Sequence, residues 1–324
     1  MRLLFVSFLM AQSIVEVTPI RGTDPVSNDP DDPAIWVNRA NPSASLILGT
    51  NKVAAPGGAL VVFGLDGKIR QTVTGIDRPN NVDIEYGLGG LDIAVVTERR
   101  LNRLRVFSIA EKGVRDLGFL DCCPEPMGIG LYKRPRDGAV FAIVAPKGRP
   151  NSPRADYLYQ YRLTIENGAP KGALVRRFGQ FSGTKEIEAV VVDDALGFVY
   201  CSDEGAGIRK YHADPDHPEA SKEVAMFGLT GFRGDREGLA IYAKADGSGY
   251  LIATDQLPGN SEYHVYDRRD NGELFVFRGG ADTTDGIDIT SANLGPEFPT
   301  GLFVAMNSGG KNFLLYDART LMRR

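Results

Sequence analysis

The stretch EGLAIYAKADGSGYLIATDQLPGNSEYHVYDRRDNGELFVF, residues 237–277, holds four short apolar runs: EGLAIY, GYLIATDQ, SEYHVYD and ELFVF. Gly, Pro, Asn and Asp fill the gaps between them, and short runs bounded by those residues read as β-strands joined by tight turns. The same order recurs along the chain. First strands begin near Asp32, Asn81, Met127, Glu188, Glu237 and Asp285. Second strands read SLILGTNK, DIAVVTER, AVFAIVAPK, GFVYCSDE, GYLIATDQ and GLFVAMNS. Third strands centre on Phe63, Phe107, Tyr161, Tyr211, Tyr266 and Tyr316, which lie 44, 54, 50, 55 and 50 residues apart. A fourth strand (IRQTV, VRDLGF, ALVRRF, KEVAMF, ELFVF) follows in five of the six units. Four antiparallel strands in about 45–50 residues is the repeat of a propeller blade. A β-sandwich also alternates, but it does not call for six copies of one ordered pattern. The expectation is an all-β, six-bladed β-propeller forming a single domain over residues 14–324.

The sixth unit lacks its fourth strand, and an open blade edge invites aggregation. Ile14-Val15-Glu16-Val17-Thr18 alternates like a strand and has no blade of its own. It is predicted to complete the last blade and close the ring. Ahead of it, Met1-Arg2 and the apolar run from Leu3 to Ala11 read as a short secretory leader over residues 1–13, with Ala11 and Ser13 as the small residues near a cleavage point. The expected location is therefore secreted or periplasmic.

With 43% hydrophobic and 24% charged residues, the 324-residue chain has a globular composition. A net charge of -4 supplies no basic footprint for nucleic acid. No run approaches the ~18 apolar residues of a membrane-spanning helix, and a monomer is expected. Cys122, Cys123 and Cys201 show no metal-ligand spacing and read as incidental.

In a blade the innermost strand lines the channel and the second runs antiparallel to it. The start of the first strand and the end of the second therefore share one mouth of the channel. First-strand starts contribute Asp31, Asp32, Asn81, Glu188, Glu237 and Asp285; second-strand ends contribute Lys52, Arg99, Lys147, Glu204, Gln256 and Asn307. Strand ends are often polar simply because they meet water, but that does not predict carboxylates at most equivalent positions. Two such charges at 4 Å repel by roughly 4 kcal/mol at an effective dielectric of 20, so clustered ones need cations. Carboxylates with amide and carbonyl oxygens suit calcium. Zinc would want His or Cys, and His212, His217 and His264 fall on third strands or in a loop. Cations flanked by Lys52, Arg99 and Lys147 suit a small phosphorylated substrate. Calcium polarises a phosphoryl group and acidifies water, while the basic side chains hold phosphate oxygens.

DDPAIW (Asp31 to Trp36) and NNVDI (Asn80 to Ile84) resemble the signature motifs of the β-propeller phytases, the alkaline calcium-dependent 3-phytases. TNK at 50–52, EGLAIY at 237–242, ADGSGYL at 245–251, GNSEYHVYDR at 259–268, TDGID at 284–288 and LGPEFPTGLFVA at 294–305 are similar as well. The resemblance implies a calcium-dependent phosphomonoesterase that hydrolyses phytate, bound as its calcium complex, by attack of a metal-bound water. It implies several calcium ions on Asp32, Glu188, Glu204, Glu237 and Asp285, and phosphate on Lys52, Arg99 and Lys147. Glu188, Glu204, Glu237, Lys52, Arg99 and Lys147 then form the catalytic set, with Asp31 joining the metal ligands on strand geometry. Two residues depart from the family pattern: Glu85 where NNVDIR has Arg, and Met127 where EP-Y-G has Tyr. If Glu85 faces the substrate with Asn81 and Asp83, it should repel phosphate, and a Met127 thioether is a poor ligand for a hard ion. Alternatively, Glu85 pairs with a nearby Arg and Met127 merely packs. The departures leave open a propeller that binds calcium and a phosphorylated ligand with weak or no turnover; another propeller hydrolase, such as a lactonase, is a further reading.

Overall fold

A computed structural model describes residues 14–321; the expected leader at residues 1–13 lies outside the described residues. The chain forms six antiparallel sheets arranged as propeller blades. Blade one comprises Pro30–Trp36, Leu46–Asn51, Ala59–Gly64 and Ile69–Thr74, and blades two to four repeat that four-strand order. Blade five is built from Asp235–Ala243, Gly249–Gln256, Glu262–Asp267 and Glu273–Arg278; blade six has Ile287–Thr290, Leu302–Asn307 and Asn312–Asp317. The six innermost strands pack successively around the axis, the sixth against the first. Among the described residues, no helix is long and apolar enough to cross a membrane.

The alternation of each strand has a clear destination. Six apolar clusters form among the described residues, one between each pair of adjacent blades. The aromatics that marked the repeat, Phe63, Phe107, Tyr161, Tyr211, Tyr266 and Tyr316, are all buried there. Each such side chain contributes roughly 1.5–3 kcal/mol by leaving water.

The N-terminal chain does close the ring, though not with the expected segment. Arg21–Gly22 pairs antiparallel with Asn312–Asp317 and supplies the outer strand of blade six. Val15–Glu16 instead pairs in parallel with Glu273–Arg278 and adds a fifth strand to blade five. Val15 and Val17 pack on the cluster between blades five and six, so the apolar alternation of the segment is satisfied at that seam. The true closing strand carries no alternation, because its pairing is made by backbone groups: Ile20 N–H donates to Leu315 O and Thr23 N–H to Phe313 O.

Two devices set the geometry of the channel. In blades one to five the first strand carries a register shift at its start, as between Pro30 and Pro33 or between Ile187 and Val190. Such bulges re-aim side chains, and here they fall at Asp31, Asn80, Met127, Glu188 and Glu237. Where Gly follows, the neighbouring strand comes close: a Cβ at Gly238 would lie 2.7 Å from Asp285 O. Deeper in the channel, carboxylates stitch adjacent inner strands. Asp32 Oδ2 accepts from Val82 N–H at 3.0 Å, Asp83 Oδ2 from Leu131 N–H at 2.6 Å, and Asp288 Oδ2 from Ile35 N–H at 2.7 Å.

Candidate active site

The antiparallel register places first-strand starts beside second-strand ends, as Pro30 opposite Asn51, Pro79 opposite Glu98, Pro126 opposite Pro146 and Ile187 opposite Asp203. One residue further on, four blades repeat the same backbone bond. Lys52 N–H donates to Asp29 O, Arg99 to Arg78 O, Lys147 to Glu125 O and Glu204 to Glu186 O, at 2.7, 3.2, 2.8 and 3.1 Å. These bonds hold Lys52, Arg99, Lys147 and Glu204 at a common depth at one mouth.

Lys52 is the hub. Its Nζ lies 2.5 Å from Asp31 Oδ1, 3.3 Å from Asp285 Oδ2 and 3.7 Å from Glu188 Oε1. Gln256 Nε2 donates to the other oxygen of Asp285. Asn80 Nδ2 donates to Glu188 Oε1 at 2.5 Å, and Arg99 Nη1 reaches Asn80 Oδ1 at 3.4 Å. Arg99 thus joins the cluster through Asn80. Lys147 stands at the rim, donating to Glu186 and lining a pocket of about 320 Å³ with Glu125, Arg149, Arg154 and Tyr157.

Two carboxylate triads lie beside this hub: Glu186, Glu188 and Glu204, and Glu204, Asp235 and Glu237. In each triad one oxygen per residue lies within 4.8 Å of the others. Glu204 belongs to both. It is buried, and its Oε1 has no hydrogen-bond partner. Burial, with Glu188 and Glu186 adding to it, pushes the Glu204 carboxyl up to about 8. Glu237 rises well above the carboxylate range, through burial first and then the charges of Glu188, Glu204 and Asp285. Asp31 and Asp285 rise as well, burial outweighing the help of Lys52. For Lys52 burial works against the charge, yet Asp31, Asp285 and Glu188 hold the ammonium well above its ordinary range. The mouth therefore has more carboxylate than its own cations neutralise. Its donors are oxygens only, the set a hard divalent cation takes. The open oxygen of Glu204 fits such an ion.

Of the residues named from sequence, Asp31, Lys52, Glu188 and Asp285 make direct contact, and Glu204 and Glu237 adjoin them in the triads. Asp32 turns to the deeper tier, where it bonds Val82 and faces Asp288 and Asp83. Asn80 bonds Glu188 directly, and Asn81 lines the same cavity as Asp31, Glu188, Glu237 and Asp285, its N–H taken by Thr97 Oγ1. Glu186 and Asp235 were missed. Both stand two residues before a named glutamate, in KEIE and DREG, and the two-residue strand period would have found them. Of the two readings open for Glu85, its position suits the one away from the mouth: Glu85 pairs with Ile93 near the opposite end of its strand pair, while Pro79 and Glu98 mark the mouth end. Its neighbours are Lys133, Asp194 and Arg39. Met127 is buried, with its carbonyl accepting from Thr97 Oγ1, so it packs. His264 bonds Glu273 on blade five, and the three cysteines are free thiols.

Comparison with known proteins gives the family of the chain. A solved structure of a functionally unknown protein from Desulfotomaculum acetoxidans shares the fold, with TM-score 0.50 and 14% identity over 75% of this chain and 70% of that one. The 3-phytase of Bacillus subtilis (strain 168) is 31% identical over 319 residues, covering 90% of this chain and 78% of that protein. The phytase family model matches residues 4–313. On that near-complete match and that relative, the chain belongs to the phytase family and is a 3-phytase-like phosphoric monoester hydrolase.

Proposed function

We propose that this chain hydrolyses phytate to lower inositol phosphates and orthophosphate, with calcium held at the mouth by Asp31, Glu186, Glu188, Glu204, Asp235, Glu237 and Asp285. The observation that carries this reading is Glu204, buried with an open oxygen and common to two all-carboxylate triads. When bound, the cation supplies Lewis-acid chemistry, drawing charge from a phosphoryl oxygen and acidifying water. The chain's own residues do the rest. Lys147 at the rim and Arg99 beside Asn80 take phosphate oxygens, and Lys52 offsets the charge that develops as the ester bond breaks. The pocket beside Lys147, with Arg149 and Arg154, gives the remaining phosphates of a polyanion a basic wall.

Phosphate release from phytate by the purified chain, in calcium and in excess chelator, tests the reading. Release that depends on calcium supports it; equal rates in both conditions, or none in either, would overturn it. Export is proposed from the apolar leader at residues 3–11, and N-terminal sequencing of protein recovered from outside the cytoplasm checks it. Turnover rather than binding alone is favoured by the position of Glu85 away from the mouth.

A further inference from the structure

Two lysines at the mouth are tied to carboxylates that the triads would use. Lys147 Nζ donates to Glu186 Oε1, and Lys185 Nζ donates to Asp235 Oδ1. Glu186 belongs to one triad and Asp235 to the other. Glu204, common to both, is 5% exposed, and its Oε1 has no hydrogen-bond partner. Each triad thus has an outer corner tied to its own lysine and shares the open oxygen of Glu204; Lys52 also reaches Glu188 of the first triad at 3.7 Å. An ammonium at a corner and a divalent cation at the centre compete for the same lone pairs and repel each other.

We propose that Lys147 and Lys185 are internal counter-ions of the two triads, displaced when divalent cations bind, so that cation binding is what frees Lys147 to hold a substrate phosphate. This rests on the reading of the mouth as a calcium-dependent phosphatase site. Lys147 is suited to the exchange. Its side chain is 34% exposed and borders the pocket lined by Arg149 and Arg154, so the released ammonium joins two guanidinium groups facing an anion. Lys52 is different: three carboxylates surround it and its side chain is 13% exposed, so it stays in place. Calcium and phosphate then bind with positive coupling carried by the Glu186–Lys147 pair, and the coupling is reciprocal.

Calorimetric titration of the full chain separates this from the parent reading. Inorganic phosphate is titrated in chelator and in saturating calcium, into wild type, Glu186→Gln and the Glu186→Gln/Lys147→Ala double variant. Calcium is titrated into wild type and Lys185→Ala. In wild type, calcium should tighten phosphate binding about tenfold, within the usual range for coupled sites. Glu186→Gln should bind phosphate several-fold tighter than wild type in chelator, and the double variant should lose that gain. Lys185→Ala, a change at a half-exposed side chain, should bind calcium more tightly than wild type. Unchanged metal-free phosphate affinity in Glu186→Gln, or unchanged or weaker calcium binding by Lys185→Ala, would overturn the counter-ion role. Calcium-dependent phosphate release by wild type would still stand in that case. A wild-type chain that binds no calcium overturns both.

Discussion

At the residue scale, position along the inner strand decides what a carboxylate can do. Glu204 and Glu85 are both buried acids whose carboxyls are raised chiefly by burial. Glu204 has an open oxygen among other carboxylates, whereas Glu85 lies toward the far end of its strand and accepts the Tyr86 N–H at 2.6 Å. Glu204→Gln should therefore weaken calcium binding at least tenfold, or ~1.4 kcal/mol, measured by calorimetry. Glu188→Gln and Glu237→Gln should weaken it as well, whereas Lys147→Ala, which frees Glu186, should tighten calcium and weaken phosphate. Glu85→Arg should leave KM for phytate unchanged. It should lower the melting temperature, because a buried carboxyl paired with the backbone is replaced by a larger cation near Lys133 and Arg39. An improved KM in that variant would return Glu85 to the substrate site.

At the element scale, the bulges and the closing strand matter most. The bulge at each first-strand start lets side chains of residues such as Glu188 and Glu237 converge at the mouth while the strand beyond continues in register. The closing strand is short, yet it covers the outer edge of blade six. Removing residues 1–18 takes away the fifth strand of blade five and leaves Arg21–Gly22 in place. Removing residues 1–23 exposes the edge of blade six as well. Thermal unfolding of the two truncations should show a modest loss for the first and a much larger loss, with aggregation, for the second. Equal melting temperatures would mean that Arg21–Gly22 does not carry the closure. Alternation marks Ile14–Thr18 in the string of letters, whereas the backbone pairing of Arg21 and Gly22 leaves no mark there.

At the scale of the whole molecule, a ring of blades turned inward concentrates acids along one axis. Burial raises Asp83 to about 8 and Asp288 to about 7, while the unfolded chain titrates near 3.8. Between those limits the folded state holds protons that the unfolded state has lost, so stability falls as pH rises from about 4 to about 8. Scanning calorimetry in chelator should show the melting temperature declining across that window; a rising curve would contradict the assignment. Calcium at a hundredfold excess over Kd should add about 2.7 kcal/mol, and a melting temperature indifferent to calcium would count against any cation at the mouth. The sequence by itself determined the six-unit repeat, the face on which the acids collect, and the cationic partners Lys52, Arg99 and Lys147, because strand period and blade order are local and repeat along the chain. Only the tertiary structure decided that Asp31 faces the mouth while Asp32 stitches blade one to blade two, and that Glu85 belongs to the other end. A one-residue bulge reverses which side chain faces the mouth, and the neighbours it meets come from blades distant in the chain; neither is written in local sequence.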